Sequence, residues 1–135
     1  MPDAAPLTVL IVDDDADMRL YLCGCVRRFG RWPLQILEAA DGMEALLLVR
    51  TMPVDLVISD VVMPRLDGAA LCRMLKADVA LAAVPFVLIS GEATDVLPDA
   101  GADAFLTKPF NTEQMAAVLR PLLPALPTTP PMRLL

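Results

Sequence analysis

Val9-Leu10-Ile11-Val12-Asp13-Asp14 and Leu56-Val57-Ile58-Ser59-Asp60 are two short apolar runs, each ending in one or two carboxylates. Runs of this length and composition predict buried strands. Two further segments have the same form: Phe86-Val87-Leu88-Ile89 precedes Ser90, and Ala104-Phe105-Leu106-Thr107 precedes Lys108-Pro109. In an open parallel sheet, ligands bind outside the carboxyl ends of the strands. One tertiary arrangement would therefore bring the carboxylates, a hydroxyl and an ammonium group together.

Helical patterns lie between these runs, and the alternation predicts βαβ units and a parallel sheet, hence an α/β fold. After a first strand from Leu7 to Val12, Asp15 or Asp17 can cap a helix. The helical period predicts an inward stripe at Met18, Leu22, Cys25 and Phe29, and it leaves Arg19, Arg27 and Arg28 on the solvent face.

The remaining elements are predicted from turn and cap residues. Pro53 ends a helix, Pro85 opens a strand, and Pro98 makes any helix between Ser90 and Lys108 short or irregular. We expect a strand at Leu34 to Ala39, a helix at Met43 to Thr51, a strand at Val54 to Ser59, a helix from the Asp67-Gly68 turn to about Asp78, and a last helix from about Thr112, capped by Asn111 or Thr112, to Leu119 or Leu122.

The composition limits the classes of function. A chain of 135 residues has length for one domain, and its 56% apolar content leaves surplus apolar surface, for instance at Leu47 and Leu48. A net charge of -6 with only 11 scattered lysines and arginines argues against direct nucleic-acid binding. No apolar run could span a membrane, and Met1-Pro2-Asp3 does not begin a signal peptide, so we expect a cytoplasmic protein.

The chain has three cysteines and no histidine. Cys23, Cys25 and Cys72 lack the spacing of zinc ligands, so we expect reduced, structural thiols. Without an imidazole the chain cannot itself form a phosphohistidine. If it handles phosphate, a carboxylate must accept the group.

Prolines recur at every third position near the carboxyl terminus, at Pro121, Pro124, Pro127 and Pro130. This spacing matches polyproline II and predicts a semi-rigid tail, which is either a linker remnant or a docking segment. The expected organisation is an N-terminal extension at 1–6, one domain at 7–123 and a Pro-rich tail at 124–135.

In chain order, Asp13-Asp14, Asp60, Ser90 and Lys108-Pro109 resemble the signature of the receiver domain of two-component response regulators. The Asp60-Val61-Val62-Met63-Pro64 turn, the Asp67-Gly68 turn and the Gly101-Ala102-Asp103-Ala104-Phe105 run fall in the family's order, and the resemblance extends from about Leu7 to Leu123. It implies a flavodoxin-like, doubly wound sheet of five parallel strands in the order 2-1-3-4-5. About five helices would flank the sheet, the fourth of them short or irregular.

The resemblance also implies a metal and a reaction. Three adjacent carboxylates repel one another, and a divalent cation such as Mg²⁺ relieves that repulsion. Asp14 and Asp60 would bind the metal directly, Asp13 would bind it through water, and the Val62 carbonyl would complete the protein ligands; Mn²⁺ should substitute. Asp60 would then accept a phosphoryl group from a phosphohistidine while Lys108 neutralises charge on the equatorial oxygens.

A conformational switch would follow phosphorylation. Ser90 would donate a hydrogen bond to the phosphoryl group and Phe105 would turn inward, which changes the surface shape. Pro109 is a structural position in the family's pattern. Phe105 stands where tyrosine is commoner, which removes one exposed polar contact.

Two positions of the family pattern modulate attack of water on the phosphoryl group, and here they are Val62 and Glu92. Val62 cannot orient a water molecule, whereas Glu92 could act in the opposite direction, so the lifetime of the phosphorylated state stays open. The segment from Ser90 to Lys108 is also about one helical turn shorter than in most members. The family's usual dimer face at the fourth helix is then absent or remodelled.

Three other interpretations compete with a phosphorylated receiver. An EF-hand at Asp13-x-Asp15-x-Asp17 fails, because Met18 replaces the glycine of its turn and Gly24 its final glutamate. A haloacid-dehalogenase-type phosphatase would use Asp13 and Asp15, but Asp17 stands at its usual threonine or valine position and the chain is short. A receiver-like interaction module that signals by binding, with little or no phosphorylation, is disfavoured because all five principal residues are present. The altered fourth-helix region and the apolar surplus keep this alternative open.

We therefore expect a bacterial single-domain response regulator, not an enzyme, that assists its own phosphotransfer and autodephosphorylation. The expected partners are a histidine kinase or a histidine phosphotransfer protein, and a downstream effector protein. We expect no direct nucleic-acid binding and no membrane insertion. The protein would be a monomer or a phosphorylation-dependent dimer.

Overall fold

A parallel sheet of five strands organises the structure. The computed structural model describes residues 6–29, 33–91 and 100–123. The strands are β1 (Leu7–Val12), β2 (Leu34–Ala39), β3 (Leu56–Asp60), β4 (Phe86–Ser90) and β5 (Ala104–Thr107), and they lie in the order β2-β1-β3-β4-β5. All four strand pairs are parallel. The predicted fold class and strand order are confirmed.

Four helices occur in the described part of the chain: α1 (Ala16–Phe29), α2 (Gly42–Thr51), α3 (Gly68–Ala77) and α4 (Thr112–Leu119). They match the predicted helices, with α4 as the last one. The helix expected between β4 and β5 falls mostly on 92–99, outside the described residues, and so does Glu92. The Pro-rich tail at 124–135 and residues 1–5 also lie outside them.

The sheet is covered on both faces. Every residue of β1, β3 and β4 is buried, as expected for parallel strands between two layers of helices. Because successive side chains point to opposite faces, Val9 and Ile11 pack with residues of α1 and α4, whereas Leu10 and Val12 pack with residues of α2 and α3. The two cores hold the strand ends in fixed positions.

Side-chain oxygens cap the starts of the helices. At each of these four helices a side-chain oxygen accepts a hydrogen bond from a backbone N–H group of the first turn. With the capping residue first, the pairs are Asp15 with Asp17 at 2.9 Å, Asp41 with Glu44 at 2.8 Å, Asp67 with Ala70 at 2.7 Å, and Asn111 with Gln114 at 2.8 Å. These bonds satisfy N–H groups that have no partner inside the helix. At α4 the cap is reciprocal, because the Gln114 side chain accepts from the Asn111 N–H.

Helix α1 buries a wider face than the predicted stripe. Leu22 and Cys25 are buried and Met18 and Phe29 pack against the same core, but Cys23 and Val26 are buried too. A helix packed on a sheet buries a band rather than a single line of residues. Arg27 and Arg28 are exposed as predicted. The prediction for Arg19 was wrong, since only 20% of its side chain is exposed.

Helix α2 leaves part of its apolar surface open. Ala45, Leu46 and Val49 face the sheet as expected, and Leu48 is partly buried against the core. Leu47 is 64% exposed, and Met43, one turn earlier on the helix, is 47% exposed.

The three cysteines, Cys23, Cys25 and Cys72, are all buried and free. No helix in the ranges that the structure describes is long and apolar enough to cross a membrane.

Replacing Asn111 with alanine should lower the free energy of unfolding by about 1 kcal/mol, because the first turn of α4 loses its capping oxygen. Met115 and Leu119 of this helix are fully buried, so loosening the helix also loosens one core. Urea denaturation followed by circular dichroism measures the change. Asn111→Ser keeps a capping oxygen and should retain most of the stability. Equal losses in the two variants would contradict a role for the cap.

Candidate functional site

Three carboxylates meet at the carboxyl edge of the sheet. Asp13 follows β1 directly, Asp60 ends β3, and the pairing of Val12 with Ser59 brings the two strand ends side by side. One oxygen of each of Asp13, Asp14 and Asp60 lies within 4.8 Å of the other two. Asp13 and Asp60 are only 1% and 7% exposed, whereas Asp14 is exposed to solvent. The predicted convergence of the carboxylates therefore occurs.

Lys108 contributes a positive charge from the far side of β4. It follows β5, and its backbone N–H donates a hydrogen bond of 2.8 Å to the Ser90 carbonyl. Its Nζ atom lies 3.5 Å from Asp60 Oδ1 and 3.8 Å from Asp13 Oδ2. The Lys108-Pro109 peptide bond is cis. One ammonium group thus pairs with both buried carboxylates.

The other predicted site residues differ in burial and in the element that contains them. Ser90 ends β4 at the same edge of the sheet and is 1% exposed. Phe105 lies within β5 and is partly buried against the core on the α2 and α3 side. Val62 follows β3 in a loop and is 65% exposed. Glu92 lies outside the described residues.

Burial makes ionisation of the two inner carboxyl groups, those of Asp13 and Asp60, less favourable than it is in water. It raises the pKa of Asp60, repulsion from Asp13 raises it further, and Lys108 opposes both effects. Burial likewise raises the pKa of Asp13, in spite of a hydrogen bond from the Asp15 backbone and the charge of Lys108. A cation bound between the two carboxylates would stabilise both anions.

Asp13 is held by hydrogen bonds at three of its four polar atoms. Its N–H donates to the Ala39 carbonyl at 3.1 Å, Oδ1 accepts from the Asp15 N–H at 2.9 Å, and its carbonyl accepts from Arg19 Nη1 at 2.7 Å. Its buried Oδ2 has no hydrogen-bond partner among the residues described. A buried oxygen of this kind, beside two further carboxylates, fits a hard divalent cation such as Mg²⁺.

The start of α3 packs directly against the backbone of Asp60. The Gly68 N–H donates to the Val61 carbonyl at 2.8 Å. A Cβ atom on Gly68 would overlap the Asp60 carbonyl oxygen and lie 2.9 Å from Ser59 Oγ. Only glycine permits this approach, so Gly68 helps to set the position of Asp60. The sequence marked Asp67-Gly68 as a turn but carried no sign of this contact.

An ion pair connects the loop after β3 to the start of α2. Arg65, which has a positive φ of 69°, pairs with Asp41 at 2.6 Å. Hydrogen bonds from the Glu44 backbone, and then from Arg65, lower the pKa of Asp41. The sequence pattern indicated no contact for Arg65 and placed Arg19 on the solvent face, because each bonds to residues that only the fold brings near.

The family model that describes the response regulator receiver domain matches residues 9–120. The chain belongs to this receiver-domain family. The resemblance inferred from the sequence is thereby confirmed. Receiver domains are signalling phosphoacceptors of two-component systems, and they interact with histidine kinases and effectors.

Curated relatives contain matching segments within longer proteins. The gliding motility regulatory protein of Myxococcus xanthus is 40% identical over 111 residues, which is 79% of this receiver and 14% of that protein. The response regulator MprA of Mycobacterium sp. (strain KMS) is 38% identical over 121 residues, 87% of this receiver and 51% of MprA. The chain thus spans about half the length of one of these relatives and far less of the other.

Solved receiver structures share the fold. The signal receiver domain of a signal transduction histidine kinase from Syntrophus aciditrophicus is 33% identical, with a TM-score of 0.79 over 94% of this chain and 97% of that one. A receiver domain from a Pseudomonas aeruginosa sensor histidine kinase is 23% identical, with a TM-score of 0.77 over 87% and 98% of the two chains. That structure has a magnesium ion coordinated in its active site cleft.

Substituting alanine for Gly68 should destabilise the receiver by about 1–3 kcal/mol, because the new methyl group displaces the Asp60 backbone. Divalent-cation binding should weaken along with stability, and calorimetric titration with Mg²⁺ measures it. Gly24→Ala is the matched control: its Cβ would meet nothing within 4 Å, and alanine favours the interior of α1. That variant should be slightly more stable, with unchanged binding. Unaltered Mg²⁺ affinity in Gly68→Ala would refute the positional role.

Without divalent cations, Asp60→Asn should be more stable than the native receiver near pH 7, by on the order of 1 kcal/mol. A carboxyl group whose pKa is raised by folding costs stability once it ionises. The native receiver is therefore less stable than Asp60→Asn, and this difference in stability is largest at pH values above the raised pKa of Asp60. The difference disappears at pH values below the ordinary pKa of 3.8. Urea midpoints of the two proteins should converge as the pH falls toward that value. A native receiver that is the more stable of the two near pH 7 would contradict this prediction.

Proposed function

We propose that this receiver accepts a phosphoryl group on Asp60 from a phosphohistidine of a partner protein, with Mg²⁺ held by the acidic cluster. One observation carries the proposal: the Asp60 carboxylate lies 3.5 Å from Lys108 Nζ and beside the carboxylates of Asp13 and Asp14. A carboxylate nucleophile needs no general base once it is ionised, and the chain contains no histidine that could serve as one.

The transfer is a substitution at phosphorus. A carboxylate oxygen of Asp60 forms the new P–O bond, the P–N bond of the phosphohistidine breaks, and the imidazole keeps the electron pair and takes up a proton. The Lys108 ammonium group neutralises charge on the equatorial oxygens. Because Lys108 already pairs with Asp60, little rearrangement is needed to place that charge.

Asp14 and Asp60 would hold Mg²⁺ directly, Asp13 would hold it through water, and the Val62 carbonyl would complete the set. Support comes from the all-oxygen character of the cluster and from the buried Asp13 Oδ2, which lacks a hydrogen bond among the described residues. When bound, the metal neutralises charge and helps to orient the phosphodonor. Mn²⁺ prefers similar ligands and should substitute.

The proposed output is a change in a protein-binding surface. Ser90 Oγ donates to the phosphoryl group, and Phe105 turns further into the core. Support comes from the backbone hydrogen bond between Lys108 and Ser90, which joins the ends of β4 and β5. A displacement of Ser90 toward Asp60 would therefore act on the strand that contains Phe105. Pro109 keeps its structural role in the turn that follows Lys108.

We further propose a cytoplasmic regulator that receives its phosphoryl group from a histidine kinase or a histidine phosphotransfer protein and contacts a downstream effector. It is a monomer or dimerises on phosphorylation, and it assists loss of its own phosphoryl group, with Val62 and Glu92 as the modulating positions. A second candidate, a module that signals by binding alone, is favoured by the exposed apolar side chains of Leu20 and Leu47.

Intact-mass spectrometry after incubation with acetyl phosphate and Mg²⁺ tests the proposal. The native receiver should gain one phosphoryl group, and Asp60→Asn should gain none. Chelation of the metal should abolish the gain, and Lys108→Ala should slow it at least about 100-fold, the usual effect of losing such a charge. A phosphohistidine protein serves as a second donor. If neither donor modifies the native receiver, the binding-module interpretation replaces this one.

A further inference from the structure

We propose that Arg19 is a positioning residue of the acidic cluster: its guanidinium group fixes the backbone of Asp13, and Glu38 fixes the guanidinium group. This inference rests on the proposed function and deepens it. It concerns a residue that has no place in the chemistry described above.

Arg19 links three elements at the carboxyl edge of the sheet. From the first turns of α1, its Nη1 donates to the Asp13 carbonyl at 2.7 Å, and its Nε donates to Glu38 Oε1 of β2 at 3.0 Å. The Arg19 side chain is only 20% exposed, whereas that of Glu38 is 51% exposed. The inner contact with Asp13 is thus the better shielded of the two and contributes more to local order.

The contact completes the restraint of Asp13. The N–H and Oδ1 of Asp13 are hydrogen-bonded to Ala39 and Asp15, which leaves the carbonyl to Arg19. Without Arg19, the Asp13 carbonyl would lose its hydrogen-bond donor at a residue that is only 1% exposed. The turn between β1 and α1 would then shift so that the carbonyl could reach another donor. That turn contains both Asp13 and Asp14. A shift there separates the carboxylates that lie within 4.8 Å of Asp60.

An arginine suits this position for a geometric reason. The planar guanidinium group presents several N–H donors in fixed directions, so one side chain can bond a carbonyl and a carboxylate on different strands. Groups that hold metal ligands in place typically change metal affinity by about 10-fold or more when they are removed. Arg19 therefore acts on cation binding through Asp13, without contact with the cation.

Mn²⁺ binding followed by electron paramagnetic resonance tests this role, because the free ion alone gives the full signal. Arg19→Ala should bind Mn²⁺ about 10-fold more weakly than the native receiver. Glu38→Gln should have a smaller effect, since Arg19 keeps its bond to Asp13. Arg28→Ala, an exposed arginine of the same helix, should bind as the native receiver does.

A second control separates positioning from general stability. Val26→Ala removes buried methyl groups from α1, seven residues beyond Arg19, and lowers stability without touching the Asp13 carbonyl. Its Mn²⁺ affinity should be unchanged, with all variants assayed where circular dichroism shows them folded. If Arg19→Ala and Val26→Ala both bind Mn²⁺ like the native receiver, Arg19 is merely structural and the inference is overturned. If the native receiver itself binds no Mn²⁺, the proposed function fails together with it.

Discussion

Two buried carboxylates of like charge, Asp13 and Asp60, face a single ammonium group at one edge of the sheet. Lys108 offsets only part of their repulsion, so burial keeps the pKa of both carboxyl groups raised. The side chains cannot retreat into solvent, because β1 and β3 are buried along their whole length. The packing of the two hydrophobic cores thus keeps two carboxylates that repel each other close together, and a bound cation would reduce that repulsion.

The sequence contained most of the information about the fold. The apolar runs and turn residues located β2 and β5 at their observed bounds, and the acidic or amide residues before α2, α3 and α4 proved to be their caps. Local rules suffice there because strand period and helix capping depend on neighbours in the chain. The meeting of Asp13, Asp14 and Asp60 was predictable too, since parallel strands deliver their carboxyl ends to a common edge.

What the sequence did not contain were contacts that depend on the packed structure. The start of β3 was predicted at Val54 but lies at Leu56, and Asp55, just before the strand, exchanges two hydrogen bonds with Thr8 of β1, one of them through the Asp55 side chain. The helical period predicted that Arg19 faces solvent. That period contains no information on the position of α1 relative to the end of β1, where Arg19 bonds to Asp13. The closeness of Gly68 to the Asp60 backbone likewise follows only from how α3 packs.

The charged groups of the site lie on strands that differ in burial, and this difference determines which strand would respond in the proposed switch. The anions lie on strands that are buried throughout, whereas the ammonium group follows β5, a short edge strand that is only partly buried. The beginning of β5 is anchored, since Asp103 accepts hydrogen bonds from Phe86 N–H and Lys76 Nζ, both at 2.8 Å. A change of charge at Asp60 would therefore displace the opposite end of β5, where the backbone of Lys108 is hydrogen-bonded to Ser90. The site and the surface proposed to respond to it share one short strand.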